Sequence, residues 1–254
     1  MHKKRFISAV ICCFTCCFCE TFSMKVMPFI HSFAPVKGEK VIQYSLTNDG
    51  DRPVAFEIII FRRNQNIKGE DILQKDEESF TIFPSQVIIP GHGTRNIRVK
   101  WIGNGDFEKN PRREQAFRVL FDQFHIDFKQ KKPRKSGAAL NIKLRMLASL
   151  YMTPKNARKS LTVTSVKEKM INGEKVAVIR MKNDGASRCS VGEINPELRL
   201  FGRKCFLGDI IGKGDRDCII ISGCEREFIV KEATVKARAI SPVERKADGR
   251  GRSA

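Results

Sequence analysis

Short runs rich in Val, Ile and Phe recur along the chain with Gly, Pro, Asn and Asp between them, and this spacing constrains the fold most. Runs of this length between turn residues are typical of β-strands, and no long stretch has the spacing of an amphipathic helix. The first series of predicted strands covers residues 40–46, 54–61, 80–89, 94–101, 116–124 and 140–152. The second series covers residues 160–166, 176–181, 190–200, 217–221 and 226–230. The pattern predicts an all-β chain.

The two series share an internal order of motifs. Residues 43–50 and 178–185 are alternating runs that end in Asn-Asp-Gly, a sequence that tolerates the positive φ of a tight turn. Later in each series come an apolar pair, a glycine turn and an arginine-bearing run, at residues 88–99 and 220–228. We therefore predict two immunoglobulin-like β-sandwich domains in tandem, joined by a hinge at residues 152–158.

The amino terminus has the organisation of a signal peptide. A basic segment at residues 2–5 precedes an apolar run at residues 6–19 that is too short to cross a bilayer as a helix, and small residues follow. We predict cleavage before Met24, export and no stable membrane insertion; an uncleaved anchor and a lipoprotein signal are the alternatives. The predicted divisions are a signal peptide at 1–23, an N-terminal domain at 24–154, a C-terminal domain at 155–240 and a basic disordered tail at 241–254.

Removal of the signal peptide changes the set of cysteines. Five of the nine cysteines precede Glu20, and the remaining four lie in the last third of the chain. They are Cys189, Cys205, Cys218 and Cys224. An even set in an exported chain predicts up to two disulfides, in a pairing that the sequence does not rank. A zinc site is the alternative, but the spacing contains no C-x-x-C pair and the histidines lie far upstream, so we predict no metal.

The net charge of +19 raises the question of an anionic partner. The predicted signal peptide contributes +2 of this charge, because three basic residues outweigh one acidic residue there, so about +17 remains. The basic runs at residues 129–135 and 245–252 are interpreted as a solvated loop and tail. We predict no nucleic-acid partner, since the chain has one Trp, two Tyr and no basic helix or zinc finger. Binding of an anionic polymer is an alternative hypothesis.

The last predicted strand of the first domain has the most regular alternation in the chain. Its apolar positions alternate with polar or basic residues, and the apolar set is Leu140, Ile142, Leu144 and Met146. The strand follows a basic loop and ends near Pro154 at the predicted domain boundary. This position favours a strand that pairs with a second protein chain. A row that faces the protein's own core is the alternative.

In their order and spacing, these features resemble the periplasmic chaperones of the chaperone/usher pathway, which assemble pili and other surface fibres. In the first domain the resemblance rests on Thr47-Asn48 followed by Pro53, on Phe83-Pro84, on Ile89-Pro90-Gly91, and on residues 97–99 and 114–118. In the second domain it rests on Asn183-Asp184-Gly185 and on Gly223 with Arg226 and Phe228. The resemblance covers nearly the whole mature chain.

The resemblance implies a function for the alternating strand. In these chaperones the last strand of the first domain inserts apolar residues into the groove of an incomplete pilin fold, which is called donor-strand complementation. The resemblance therefore implies a donor strand at residues 140–152, with Leu140, Ile142, Leu144 and Met146 as the partner-binding residues. The implied partners are pilin-like subunits and an outer-membrane usher.

One feature of the family is missing from this sequence. Its well-studied members hold the terminal carboxylate of the subunit with an Arg on the first strand and a Lys near the end of the donor strand. Residues 30–33 and 148–150 do not supply this pair. We therefore assign the chain to a divergent, nonclassical branch, with Lys143 and Arg145 as a possible anchor. Arg98 and Arg118 are interpreted as structural salt-bridge or strand-surface residues rather than as the anchor.

Catalytic motifs are absent from the sequence. It contains no G-x-S-x-G, no H-E-x-x-H and no glycine-rich phosphate loop, so we predict neither an enzyme nor a cofactor. The second hypothesis from another class is an exported structural or adhesive fibre subunit, which shares the predicted export signal, disulfides and sandwich domains. Valency distinguishes the two, because a chaperone forms soluble one-to-one complexes and a subunit polymerises.

Overall fold

The computed structural model describes residues 24–34, 41–103, 112–125, 143–211 and 218–239. The strands among these residues are β1 (Met24–Met27), β2 (Ile30–Phe33), β3 (Val41–Asn48), β4 (Val54–Gln65), β5 (Asp71–Lys75), β6 (Phe80–Phe83), β7 (Gln86–Ile89), β8 (Gly93–Trp101), β9 (Gln115–Phe124), β10 (Arg145–Met152), β11 (Leu161–Ile171), β12 (Glu174–Asn183), β13 (Cys189–Ser190), β14 (Glu197–Leu200), β15 (Arg203–Phe206), β16 (Ile219–Ile220) and β17 (Glu225–Lys231). The helices are α1 (Val191–Ile194), α2 (Leu207–Ile211) and α3 (Glu232–Ala239). The prediction of an all-β chain is confirmed.

The first half of the chain is a sandwich of two sheets. One sheet has the order β1-β3-β8-β6, and the other has the order β2-β10-β9-β4-β5, with β7 also paired to β4. All pairs are antiparallel except β2 with β10. The alternating burial along β3 places Ile42, Tyr44 and Leu46 inside and their neighbours outside, as a strand with one buried face requires.

Aromatic contacts join the two sheets across the core of the first half. Tyr44 on β3 meets Phe121 on β9, with ring centroids 5.6 Å apart. Phe80 on β6 meets Phe117 on β9 at 4.9 Å, and Trp101 also lies against Phe117. These rings are buried almost completely, and each contributes about 1.5–3 kcal/mol by burial.

The second half has a core of its own. Its main sheet has the order β11-β12-β17. The short pairs β13-β16 and β14-β15 are separate two-stranded sheets of the same half. Ile179, Met181, Leu200 and Val235 belong to this second cluster of buried residues. A small third cluster of Ala116, Tyr151 and Ile221 lies between the halves. The predicted hinge at residues 152–158 therefore joins two halves that also contact each other.

Asn48 and Asn183 lie at equivalent places in the two halves, as the internal repeat of the sequence predicts. Asn48 donates from Nδ2 to the carbonyls of Arg52 (2.7 Å) and Pro90 (3.1 Å), and its Oδ1 accepts the Gly50 N–H. Both asparagines are fully buried.

Asn183 makes the same three kinds of contact in the second half. Its Nδ2 donates to the carbonyls of Ser187 (2.9 Å) and Ile220 (2.8 Å), and its Oδ1 accepts the Gly185 N–H. In each half the asparagine closes the Asn-Asp-Gly turn and ties it to the strand that precedes the glycine turn.

The structure corrects the predicted strand at residues 190–200. Ser190 belongs to the short strand β13 and residues 197–200 form β14, and the two strands are separated because Ser190 and Glu193 form a capping box that starts α1. Asn195 in the left-handed conformation ends this helix. Helix α3 was also not predicted, because β17 leads into it directly and, among its described side chains at residues 232–238, Val235 is the one that is fully buried.

Candidate partner-binding edge and cleft

One edge of β10 is open along half of its length. β9 pairs with the whole of β10, whereas β2 pairs in parallel only with Ser149–Met152. Within the described residues, no strand pairs with the second edge of Arg145–Ala148. The strand before β2 does not cover this edge, because β1 pairs with β3 in the opposite sheet. The open segment can therefore accept a further strand.

The backbone groups on the open edge belong to two residues. The N–H of Ser149 points to the β2 side, where it donates to the carbonyl of Phe29 at 2.9 Å. Because successive N–H groups of a strand point to opposite edges, those of Arg145 and Leu147 point the same way as that of Ser149. They are available to an incoming strand.

The apolar row of β10 extends beyond the protein's own core. Its fully buried members are Ala148, Leu150 and Met152. Towards the start of the strand, Met146 and Leu144 are half-buried and pack against the edge of the first core. The other two predicted partner-binding residues, Leu140 and Ile142, lie outside the described residues. The row thus continues from buried positions to positions that the sandwich only partly covers.

The predicted anchor residues lie at the start of β10. The Nζ of Lys143 is 3.0 Å from Oδ1 of Asp122, and the Nε of Arg145 is 3.3 Å from the same oxygen. Both basic side chains are mainly exposed, which makes these ion pairs weak. Their role as an anchor stays a prediction.

Two other arginines lie beside the middle of β10. Asp71 on β5 accepts from Nε of Arg63 at 2.6 Å with one oxygen and from Nε of Arg118 at 2.7 Å with the other. Nη1 of Arg118 also donates to Oγ of Ser149. The interpretation of Arg118 as a salt-bridge residue is confirmed. Each guanidinium has five N–H donors, so these contacts leave donors for a ligand.

These arginines line a cleft between the two halves. Its volume is about 520 Å³, and Arg226 of the second half and Lys68 add to its positive charge. Four basic and two acidic residues line it, which gives a net charge of +2. The guanidinium of Arg226 lies over Gly69, where a Cβ would come within 2.2 Å of its Nε. Such a cleft is suited to a single anionic group.

The place of Arg63 in this cleft was not predicted from the sequence, and the reason is physical. Arg63 and Arg118 are far apart in sequence, and they share a sheet face only because β4 and β9 pair in the register that sets Phe61 opposite Arg118. Alternation shows that both residues avoid the core, but it does not give the register between strands.

The cysteines depart from the disulfide prediction. No disulfide joins the four cysteines, and each Sγ contacts a different oxygen, on Ser190, Leu198, Ile211 and Asn64. Burial raises the pKa of Cys189 to about 12, with a further contribution from Glu193. Burial also raises the pKa of Cys205 and Cys224. A protonated thiol is a poor nucleophile, so Cys189, Cys205 and Cys224 should react slowly in the folded protein.

Among the residues that the structure describes, no cluster of three or more His, Cys, Asp and Glu side chains could hold a metal ion. None of the helices in the described ranges has the length and apolar character of a membrane span.

Solved structures with the same fold include a chaperone of fimbriae. The class 5 fimbriae chaperone CfaA is 14% identical over 80% of this chain and 84% of its own, with a TM-score of 0.51. A chain from the chaperone–tip adhesin complex of CFA/I fimbriae biogenesis is 12% identical over 81% of this chain and 84% of its own, also with a TM-score of 0.51. No family model and no curated protein sequence matches the chain. The chain therefore has the same fold as these two structures.

Proposed function

We propose that the chain is a periplasmic chaperone that binds subunits of pili or fimbriae and delivers them for fibre assembly. The observation that carries this proposal is the open edge of β10 at Arg145–Ala148, next to an apolar row that leaves the core. The shared fold with a chaperone of fimbriae supports it.

The proposed binding mode is donor-strand complementation. The N–H and C=O groups of Arg145 and Leu147 pair with a strand of the subunit, and Met146 and Leu144 enter its groove. Leu140 and Ile142 extend the same row. Each buried apolar side chain contributes about 1.5–3 kcal/mol before the costs of ordering and association.

The cleft supplies the proposed anchor. Arg63 and Arg118 lie beside Ser149, close to the end of the open edge, and their guanidinium groups are oriented by one shared carboxylate. A subunit strand that pairs with the open edge reaches this cleft with its terminus. We infer that the two arginines bind the terminal carboxylate in place of the basic pair that is missing from β2 and β10.

The remaining parts of the proposal concern transport and partners. Residues 1–23, which lie outside the described residues, act as a cleaved signal peptide. An outer-membrane usher receives the complex, and the protein works by binding, without catalysis. The alternative of a fibre subunit predicts polymers of the chain itself, which size-exclusion chromatography of the purified protein would reveal.

Capture of a subunit by a variant of the apolar row tests the binding mode. Leu144→Asp places a carboxylate in the apolar groove of the subunit, so a candidate subunit should no longer co-purify. Ile82→Asp is the matched control, because Ile82 is also half-buried against the first core but lies on β6, in the opposite sheet.

Both variants should lower the midpoint of thermal unfolding by similar amounts. Only Leu144→Asp should lose the subunit. Equal capture by the two variants would refute the donor role of the row, and a loss of folding in Leu144→Asp alone would assign Leu144 to the core.

A further inference from the structure

Tyr151 lies where the cleft, β10 and the second half meet. Its hydroxyl accepts a hydrogen bond from Nη1 of Arg63 at 2.8 Å. Its ring lies under Arg188 of the second half, with the guanidinium carbon 3.7 Å from the ring centroid. The side chain is 2% exposed and packs against Ala116 and Ile221. Tyr151 is therefore held on several sides and has little freedom to reorient.

Arg188 is fixed in turn by a buried carboxylate. Its Nη1 donates to Glu114 at 2.7 Å, its backbone N–H donates to the same carboxylate at 2.9 Å, and its Nη2 donates to Oγ of Ser32 at 2.9 Å. Glu114 also accepts from the hydroxyl of Thr153 at 2.6 Å, and its side chain is fully buried. Arg188 of the second half thus contacts both β2 and the end of β10.

The contacts form a continuous path from the second half to the cleft. It runs from Glu114 to Arg188 by an ion pair, to Tyr151 by stacking, and to Arg63 by a hydrogen bond. Arg63 then has two fixed contacts, one at Nε with Asp71 and one at Nη1 with Tyr151. Two contacts define the plane of a guanidinium, and carboxylate recognition by its planar fork depends on that plane.

We propose that Tyr151 is a positioning residue of the cleft, which holds the fork of Arg63 in the plane needed for a terminal carboxylate and links that plane to the docking of the second half. This inference rests on the proposed function, and it goes beyond it by giving the second half a part in recognition of the carboxylate. Tyr151 need not touch the ligand.

Tyr151→Phe removes the hydroxyl and keeps the ring that packs under Arg188. The matched control is Tyr44→Phe, which removes the hydroxyl of the chain's other tyrosine. That hydroxyl is buried in the first core and makes no hydrogen bond among the described residues. Arg188→Lys is a second test variant, since it keeps a positive charge for Glu114 but loses the stacking on Tyr151.

The probes are two short fluorescent peptides of alternating Thr and Val that differ only at the carboxyl terminus, one with a free carboxylate and one with a carboxamide. Fluorescence anisotropy with the full chain gives the ratio of their dissociation constants. The wild type and Tyr44→Phe should bind the carboxylate about tenfold more tightly, as expected of a hydrogen bond between charged groups. Tyr151→Phe and Arg188→Lys should lower that ratio to about threefold or less.

The ratio separates a positioning role from a structural one, because a loss of stability alone lowers binding of both peptides equally. A wild-type ratio near one would overturn the anchor of the proposed function and this inference with it. A tenfold ratio that survives in both Tyr151→Phe and Arg188→Lys would overturn this inference and leave the anchor standing.

Discussion

The ion pair between Glu114 and Arg188 should account for a large part of the stability that the halves give each other. Arg188→Met keeps most of the aliphatic length but removes the guanidinium. Glu114 would keep the hydrogen bonds from the hydroxyl of Thr153 and from the backbone N–H of residue 188. Its fully buried carboxylate would lose its counter-charge. Breaking a buried pair in this way costs about 3–5 kcal/mol. The stacking on Tyr151 would be lost as well, at about 0.5–2 kcal/mol.

A loss of this size is about a quarter or more of the free energy of unfolding of a typical domain, which is about 5–15 kcal/mol. Equilibrium unfolding in urea measures it, with Trp101 fluorescence for the first half and circular dichroism for the whole chain. Adding Glu114→Gln to Arg188→Met removes the uncompensated charge and should recover part of the loss.

Lys159→Met is the control for this prediction. Lys159 pairs with Glu193 at 2.5 Å, but both side chains are about half exposed, so the expected cost is about 0–1 kcal/mol. A cost for Arg188→Met no greater than that for Lys159→Met would contradict this prediction, because the buried carboxylate would then not depend on its arginine.

Three other predictions concern the cleft, the repeat and the thiols. Arg118→Lys keeps a charge for Asp71 but loses the planar fork, so affinity for a captured subunit should fall about tenfold in calorimetry; an unchanged affinity would exclude Arg118 from the anchor. Asn48→Ala and Asn183→Ala should each cost about 2–4 kcal/mol in urea unfolding, because three matched hydrogen bonds are lost in each case; a large cost at only one site would contradict their equivalence. In native protein, Cys224 should react with a thiol reagent before Cys189, since it is more exposed and the pKa of Cys189 is about 12; the reverse order would contradict the assigned environments.

Local alternation was sufficient to predict most strands of the first half. β3, β8 and β9 lie within a few residues of their predicted bounds because each has one buried face. The predicted run at residues 80–89 is instead two strands, since the chain passes from one sheet to the other after Phe83. Proline cannot donate a ladder hydrogen bond, and Pro84 lies at this change.

The cleft could not be predicted in the same way. Its arginines and the Glu114–Arg188 pair join residues from separate strands and separate halves, so their contacts depend on register and docking. The sequence shows that Glu114 precedes a strand, but it does not show that the carboxylate is buried or which cation meets it. The apolar row could be predicted because its alternation is local. The fold was needed to show which members of the row are buried in the core and which are only half-buried.

Amide hydrogen exchange at the open edge of β10 tests the donor-strand account most directly. In the free protein, the N–H groups of Arg145 and Leu147 should exchange quickly, because no strand among the described residues pairs with that edge. In a one-to-one complex with a subunit, both should exchange at least about tenfold more slowly, since each then donates to the added strand. A complex that leaves both rates unchanged would show that the subunit binds elsewhere, and it would contradict donor-strand complementation by β10.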